Sequence, residues 1–375
     1  MYDFAIIYER VFDYSGENIT IGGIQTYLIE LAKLISDEGY SVAIVQRSSV
    51  TFKLCHEGVS FIGCNHIEGK LPSYKYIARQ AKELLKDNGV IIWGNDQKSI
   101  KVEGIKTVSI QHGITFDIEG YESKLKGFIA RTPFNPIYRF IQRFNGRKSF
   151  EVSDFKVCVD YNFLNWYRTY ISSKHLKNIV VIPNFTHLCQ VSDLKKSERI
   201  SVVFARRFVE RRGCIIFAEA VKILYSQGYD FDVYFAGEGP LEQELRGLFY
   251  NEPRVVFTRF KAKDSQQFHS NKTISVVSSI GSEGTSLSLL EAMACKCAVV
   301  CTNVGGLTNI ILDEHNGLIC DPTSDSLALS LKRLLSDEAL RSRVSENAYE
   351  SIEDSFSLSK WKASWSDFLL QVRGN

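Results

Sequence analysis

Residues 278–294 read SSIGSEGTSLSLLEAMA and place a glycine-rich turn between a predicted strand and a predicted helix. The apolar run Ile274–Val277 predicts the strand, and Leu287–Ala294 has the composition of a helix. Small residues in the turn let backbone N–H groups approach a ligand, and the N-terminus of the helix favours an anion. Glu283 precedes the helix and Glu291 lies about two turns further on. The stretch predicts an α/β fold with an anion site flanked by two carboxylates.

The hydroxyl and carboxyl side chains of this stretch could also have purely structural roles instead of binding a ligand. Thr285 or Ser286 is suited to cap the helix, and Glu291 on its own spacing fits a solvated helix position. Carboxylates are poor ligands for a phosphate but good acceptors for sugar and ribose hydroxyls. Further motifs nearby decide between these interpretations.

Two such motifs follow predicted strands of the same half. The strand Ser201–Ala205 leads into Arg207 and Arg212, whose guanidinium groups suit a diphosphate. The strand Asp232–Ala236 leads into the glycine-rich turn Gly237–Pro240. Because ligands of open α/β sheets bind at the carboxyl ends of the strands, the three motifs together predict one nucleotide-sugar site.

Strand-like and helix-like segments alternate through both halves, with a polar seam at Ser192–Arg199 between them. Alternation of this kind predicts parallel sheets, so we expect two doubly wound domains that face each other across a ligand cleft. The predicted strands are 4–8, 41–45, 90–93, 107–110, 155–159 and 180–183, then 201–205, 232–236, 255–257, 274–277 and 298–301. The predicted helices are 22–38 and 74–86, then 215–227, 240–249, 264–269 and 285–295.

Composition excludes several other classes of protein. The chain has 375 residues with 45% hydrophobic and 23% charged residues, which is ordinary for a globular protein of two domains. The net charge of +2 gives no bulk attraction for nucleic acid. The nine cysteines have no CxxC spacing, so neither a zinc site nor a disulfide framework is predicted. With no signal peptide or long apolar run, the expected location is the cytoplasm.

The second half resembles the nucleotide-binding domain of the retaining GT-B glycosyltransferases of family 4, also called group 1. The resemblance covers most of residues 200–322 and extends loosely to Gly22-Gly23 and to Gln111-His112-Gly113. Its motifs are Arg207 with Arg212-Gly213, Gly237–Pro240, Glu283-Gly284 with Leu289–Ala294, Val304–Gly306 and Asn316–Leu318.

Several positions depart from the pattern of that family. Arg212 stands in place of the family lysine, which keeps the charge and changes the hydrogen-bond geometry. Thr285-Ser286 replaces Phe-Gly, so the sugar contacts of that loop are expected to differ. Lys296–Ala298 replaces Gly-x-Pro, and Pro183-Asn184 lacks the glycine that usually follows.

The resemblance implies a role for each matched position. Arg207 and Arg212 would bind the donor diphosphate, Glu283 the transferred sugar, and Glu291 the ribose. His112 would face the sugar from the N-terminal domain, although a lone histidine is more often structural. The remaining donor-binding positions would supply backbone N–H groups, and they are Gly22, Gly23, Gly284, Thr285, Ser286 and Leu287. Neither a metal nor a cofactor is expected, because the cations that stabilise the leaving group are arginines.

The implied reaction moves a sugar from a UDP- or GDP-sugar to a hydroxyl with retention of configuration. Residues 1–183 plus 356–375 would form the acceptor-binding domain, and residues 184–355 the donor-binding domain. The acceptor would be a saccharide or a lipid-linked intermediate of bacterial surface polysaccharide synthesis, such as O-antigen, capsule or lipopolysaccharide. The alternatives are a sugar-nucleotide epimerase or phosphorylase of similar fold, and a non-catalytic two-domain sugar-binding protein.

Two amphipathic segments lie outside these motifs. Residues 131–148 interleave aromatic residues with five basic residues, and a helix from about Ile137 would place Ile137, Phe140, Ile141 and Phe144 on one face. That face either packs into the core or rests on anionic lipid at the inner face of the plasma membrane. Ser355–Val372 predicts a terminal helix, which in the resembled fold packs on the N-terminal domain; packing on the second domain is the alternative.

Overall fold

A computed structural model describes residues 1–20, 22–114, 128, 132–170, 177–190, 192, 194 and 196–374. The described residues contain two separate sheets, each with helices between its strands. The parallel strands agree with the alternation of strands and helices along the sequence.

The chain divides into two compact units. The described residues within 1–112, 140–183 and 361–374 form the first unit, and those within 113–139 and 184–360 form the second. One change of unit falls between Pro183 and Asn184, and the last falls between Lys360 and Trp361.

The first unit is built on an eight-stranded sheet. Its strands are β1 (Tyr2–Tyr8), β2 (Val42–Arg47), β3 (Phe52–His56), β4 (Val59–Cys64), β5 (Leu85–Trp93), β6 (Lys106–Gln111), β7 (Phe155–Cys158) and β8 (Ile179–Val181). They lie in the order β3-β4-β2-β1-β5-β6-β7-β8, and every pair is parallel except β3–β4.

The second unit is built on a six-stranded parallel sheet in the order β11-β10-β9-β12-β13-β14. Its strands are β9 (Ser201–Phe204), β10 (Asp232–Ala236), β11 (Val255–Thr258), β12 (Ile274–Val277), β13 (Ala298–Thr302) and β14 (Leu318–Cys320). The central strands β9, β12 and β13 are buried along their whole length, because helices cover both faces of a parallel sheet.

The helices connect the strands. They are α1 (Gly23–Asp37), α2 (Tyr74–Leu84), α3 (Asn135–Glu151), α4 (Tyr161–Arg168), α5 (Cys214–Ser226), α6 (Glu242–Leu248), α7 (Ser265–His269), α8 (Leu287–Met293), α9 (Ser324–Ser336), α10 (Glu338–Ser351) and α11 (Leu358–Gly374). Helix α3 is continuous although its first turn is grouped with the second unit and the rest with the first.

Two parts of the first unit differ from the sequence prediction. The antiparallel strands β3 and β4 were not predicted. The helix predicted over 74–86 ends at Leu84, and strand β5 begins at once, five residues before the predicted Val90. Leu85 pairs with Tyr2 of β1, and the Lys86 ammonium lies 2.7 Å from the Asp3 carboxylate, so contacts with β1 hold this segment as a strand.

The terminal helix α11 packs on the first unit. The Trp365 indole N–H donates to the Tyr27 hydroxyl at 2.8 Å, and the Phe368 ring meets Phe155 edge-on. Trp361 also lies edge-on to Tyr27, with ring centroids 5.0 Å apart. Of the two arrangements that the sequence left open, the structure contains the one in which this helix joins the N-terminal unit.

Candidate functional site

The six-stranded sheet reverses its strand order between β9 and β12, which lie side by side with Ile274 paired to Val202. Ligands of doubly wound sheets bind outside the carboxyl ends of the strands at such a switch point. The chain leaves β9 toward Arg206 and leaves β12 toward Ser279 and Glu283. The fold therefore brings two of the sequence motifs to one place.

A cluster of charged and polar side chains occupies this place. The Arg206 guanidinium donates from Nη2 to Glu283 Oε2 at 2.6 Å and from Nη1 to Ser279 Oγ at 2.6 Å. The Ser279 hydroxyl donates to Glu283 Oε1, and Arg212 Nη1 lies 2.7 Å from that same oxygen. The Arg206 and Glu283 side chains are each 6% exposed, whereas that of Arg212 is 35% exposed. We call these four residues the arginine–glutamate cluster.

The charge of Glu283 is set by two opposing effects. Burial raises the pKa of its carboxyl, and the positive charges of Arg206 and Arg212 lower it, with further lowering by hydrogen bonds from Arg206 and Ser279. The net result is a pKa of about 2. Glu283 is therefore an anion at neutral pH, able to accept hydrogen bonds and unable to donate a proton.

The structure adds Arg206 to the site, a residue that the sequence motifs did not single out. Arg206 bonds to Glu283, whereas its neighbour Arg207 is exposed, and the predicted role of Arg207 at the diphosphate stays a prediction. Arg212, the second predicted arginine, does contact Glu283.

Glycines bring the backbone close to this cluster. Gly213, at φ +69°, has Ser278 O only 1.7 Å from where a Cβ would lie, and Ser278 Oγ donates to Gly213 O at 2.9 Å. A side chain at Gly237 would meet Arg206 O at 2.1 Å. The turn that begins at Gly237 thus packs against the backbone of the loop that carries Arg206. This close packing explains the glycine in structural terms.

The motif Val304–Gly306 supports Glu283 in the same way. The Gly306 N–H donates to Glu283 O at 2.7 Å, and a Cβ on Gly305 would lie 2.5 Å from Glu283 N. These contacts fix the main chain of Glu283.

The turn after Glu283 leads into helix α8. Thr285 and Ser286 are each 5% exposed. Ser286 occupies the N-cap position, yet its side chain makes no capping hydrogen bond; its hydroxyl lies 3.2 Å from Ser288 Oγ. The Thr285 carbonyl accepts from Asn184 Nδ2 at 2.6 Å.

Glu291 lies inside α8 and is only partly exposed. Its Oε2 accepts a hydrogen bond from Ser265 Oγ at 2.7 Å. Burial raises the pKa of the carboxyl to about 7, and the Ser265 bond offsets this only in part. Hydrogen bonds from a ligand's hydroxyl groups would stabilise the charged form of this buried carboxyl. A solvated carboxylate would gain little from them, because water already supplies such bonds.

The first unit holds the remaining predicted site residues. His112 Nε2 lies 3.0 Å from Gly94 O, and its ring meets Tyr27 edge-on. Burial lowers the pKa of His112 to about 4, so the imidazole is neutral at pH 7. Gly22 is the N-cap of α1 in an extended conformation, and Gly23 begins that helix.

Disulfides, metal clusters and membrane-spanning helices can be assessed only within the described residues. All nine cysteines are free there, and eight of them are buried. No three metal-binding side chains come together within the described ranges. Within the same ranges, no helix is both long enough and apolar enough to span a bilayer.

Solved structures share this architecture over nearly the whole chain. One is Anabaena HepE in complex with UDP-glucose, at 14% identity and a TM-score of 0.73, covering 99% of this chain and 100% of that one. The two parallel-sheet units therefore give the chain the GT-B fold.

Residues 190–351 match the family model described as glycosyl transferases group 1. An uncharacterized glycosyltransferase of Methanocaldococcus jannaschii is 29% identical over 46% of this chain and 46% of its own. The Staphylococcus aureus capsular polysaccharide biosynthesis glycosyltransferase CapM is 24% identical over 43% of each chain. The chain thus matches about half the length of these curated relatives.

Proposed function

We propose that the chain is a retaining glycosyltransferase that moves a sugar from a UDP- or GDP-sugar to a hydroxyl acceptor without a metal or cofactor. The observation that carries this proposal is the arginine–glutamate cluster at the switch point of a group 1 glycosyl transferase domain. Two guanidinium groups face one carboxylate there, so the cluster has an excess positive charge that a diphosphate would neutralise.

Arg212 is the arginine suited to bind the donor diphosphate. Its side chain is about one-third exposed, whereas Arg206 is enclosed and bonded to both Ser279 and Glu283. Arg206 then keeps Glu283 ionised while Arg212 pairs with phosphate oxygens. As the bond from the anomeric carbon to the β-phosphate oxygen breaks, negative charge grows on the leaving diphosphate, and Arg212 stabilises it.

Glu283 acts as a hydrogen-bond acceptor for the transferred sugar in this proposal. Its low pKa keeps it anionic, and its main chain is fixed by Gly305 and Gly306. The acceptor hydroxyl attacks the anomeric carbon from the face that the diphosphate leaves, and its proton passes to the departing diphosphate. No covalent bond to Glu283 is proposed.

Glu291 is suited to bind the ribose. Two vicinal hydroxyls would donate to a carboxylate that burial has left with one hydrogen bond, from Ser265. Both uridine and guanosine nucleotides carry that diol, so this contact does not choose the base. Backbone N–H groups from Gly284 to Leu287 would complete the contacts to the diphosphate.

The acceptor side of the proposal concerns the first unit. His112 is neutral there and offers a ring nitrogen to a sugar hydroxyl. We propose a saccharide or lipid-linked acceptor in bacterial surface polysaccharide synthesis, at the inner face of the plasma membrane. The likeness to a capsular polysaccharide glycosyltransferase supports this setting.

The test is turnover of UDP- and GDP-sugars by the whole chain, read as release of the nucleoside diphosphate with and without a chelator. One donor should be consumed, the chelator should have no effect, and the anomeric proton coupling of the product should match that of the donor. Arg212→Gln should lower turnover by about 100-fold or more. Arg246→Gln is the matched control, because Arg246 also pairs with a glutamate of this unit but lies on the surface.

Lack of turnover with any nucleotide sugar, or an inverted product, would contradict the proposal. Equal losses for Arg212→Gln and Arg246→Gln would contradict the site.

A further inference from the structure

Helix α3 carries an apolar face that the proposed reaction does not use. It runs for 17 residues from Asn135 to Glu151. Four of its large apolar side chains are exposed: Ile137 (60%), Phe140 (68%), Ile141 (48%) and Phe144 (49%). We call these four residues the α3 face. Phe134, just before the helix, is also 67% exposed.

The α3 face points away from the side by which the helix packs on the protein. Phe150 is completely buried, with its ring centroid 4.7 Å from Phe163 and 5.0 Å from Tyr167. At 100° per residue, Phe150 is rotated by about 140° from Ile137. The helix is therefore held by its other side, and the interpretation in which the α3 face packs into the core is wrong.

Basic residues accompany the α3 face. The helix contains Arg139, Arg143, Arg147 and Lys148, against the single acid Glu151. At 100° per residue, Arg143 and Arg147 follow one border of the α3 face and Lys148 lies within it, whereas Arg139 lies on the side of Phe150. The Arg147 guanidinium lies 5.8 Å from the centre of the Phe144 ring, at the border of the apolar stripe. Long basic side chains beside an apolar stripe cover it with their methylene groups and keep their charges at a polar boundary. Arg131, which the sequence motif includes, lies outside the described residues.

We propose that the α3 face is a membrane-docking surface that lies on a bilayer rich in anionic lipid. An amphipathic helix with basic residues along its apolar stripe binds in the plane of the lipid headgroups, with its apolar side chains among the upper acyl chains. A second copy of the chain is a poorer occupant, because two such faces would bring Arg143, Arg147 and Lys148 of both copies together. The positive charge of the helix attracts anionic phosphate headgroups and repels the same helix of a second copy.

This inference deepens the proposed function and rests on it for one point, the meeting of the enzyme with a lipid-linked acceptor. Membrane binding itself requires no turnover. The surface would hold the first unit, which we propose to bind the acceptor, at the plane where a lipid-linked sugar projects from the bilayer.

The experiment is sedimentation of the whole chain with vesicles of equimolar phosphatidylglycerol and phosphatidylcholine, beside vesicles of phosphatidylcholine alone. Binding should be strong to the first and at least tenfold weaker to the second, and salt should weaken it. Phe140→Ser should lower the partition by about tenfold, since one exposed phenylalanine enters the lipid. Arg143→Gln should lower it by about fivefold.

Tyr250→Ser is the matched control, because Tyr250 is 82% exposed on the second unit and its replacement also removes an exposed aromatic ring. It should leave the partition unchanged. Turnover of the nucleotide sugar in solution should be the same for Phe140→Ser and the unmodified chain, so a failure of docking is told apart from a failure of the proposed reaction.

Equal binding to both vesicle types, or an equal loss for Tyr250→Ser, would overturn the inference. A dimer that Phe140→Ser dissociates, together with no vesicle binding, would overturn it in favour of a contact between copies.

Discussion

Replacing Arg206 by glutamine removes the buried cation of the arginine–glutamate cluster. Arg206 makes two hydrogen bonds of 2.6 Å, to Ser279 and Glu283, and its side chain is 6% exposed. Breaking a buried ion pair by removing one partner costs about 3–5 kcal/mol, because the other charge is left buried. Arg212 still contacts Glu283 in the variant, so we expect the lower end, about 3 kcal/mol of unfolding free energy.

Arg207→Gln is the matched control, because it makes the same change one residue further along on an exposed side chain. Surface substitutions of this kind change the unfolding free energy by about 0.5 kcal/mol or less. The difference in unfolding free energy between Arg206→Gln and Arg207→Gln therefore measures the contribution of the cluster, separate from any effect of changing the loop.

Denaturant unfolding can be followed separately in the two units. All four tryptophans, Trp93, Trp166, Trp361 and Trp365, lie in the first unit, so their fluorescence reports on that unit alone. Circular dichroism reports on both. Arg206→Gln should shift a transition seen by circular dichroism and leave the first unit's own unfolding, seen by fluorescence, where it was.

Turnover of the nucleotide sugar gives a second measure of the same pair. Arg206→Gln should lose turnover by about 100-fold, because Glu283 is no longer held in place, and Arg206→Lys should recover part of it. Equal stability and equal turnover for Arg206→Gln and Arg207→Gln would refute the assignment. A loss of turnover confined to Arg207→Gln would assign the diphosphate contact to Arg207 and leave Arg206 without a part in the reaction.

Two further substitutions test neighbouring parts of the second unit. Glu291→Gln should raise the unfolding free energy near pH 8 by at most about 3 kcal/mol, because the raised pKa of Glu291 means that its stabilising, protonated form is lost as pH rises through about 7. This gain in unfolding free energy should vanish below the unfolded pKa of about 4.5. The same substitution should lower the apparent affinity for the donor, and an unchanged affinity would exclude Glu291 from the ribose site. Gly213→Ala should prevent folding of the second unit, because the new Cβ would lie 1.7 Å from Ser278 O. Gly228→Ala has a similar φ of +85° with nothing within 4 Å, so it should cost only about 1 kcal/mol, and similar losses for both would show that the close contact is not what matters.

The sequence predicted the second unit better than the first. The β9, β10, β12 and β13 strands are short, mostly apolar runs, and parallel strands covered on both faces have this appearance. Strand β3 was missed because it is only five residues long, although its residues alternate between partly buried and exposed as in a half-buried strand.

The end of α2 was missed for a different reason. Neither glycine nor proline separates Leu84 from Leu85, and the change from helix to strand depends on pairing with β1, which is distant in sequence. Local propensity carries no signal of such a contact.

The arginines illustrate the same limit at the site. Sequence spacing identified the loop that follows β9, but the direction of a side chain depends on where the strand ends and how the loop turns. Strand β9 ends at Phe204, earlier than the predicted Ala205, and Arg206 then faces Glu283. Arg212, predicted to bind the diphosphate, contacts Glu283 in the structure, beside the turn at Gly213.

A crystal structure of the whole chain with UDP or GDP bound would show directly where the donor nucleotide lies. We expect the diphosphate within hydrogen-bond distance of Arg212, the ribose hydroxyls on Glu291, and Arg206 still paired with Glu283. A nucleotide bound away from the β9–β12 switch point, or a ribose that leaves Glu291 bonded only to Ser265, would contradict it.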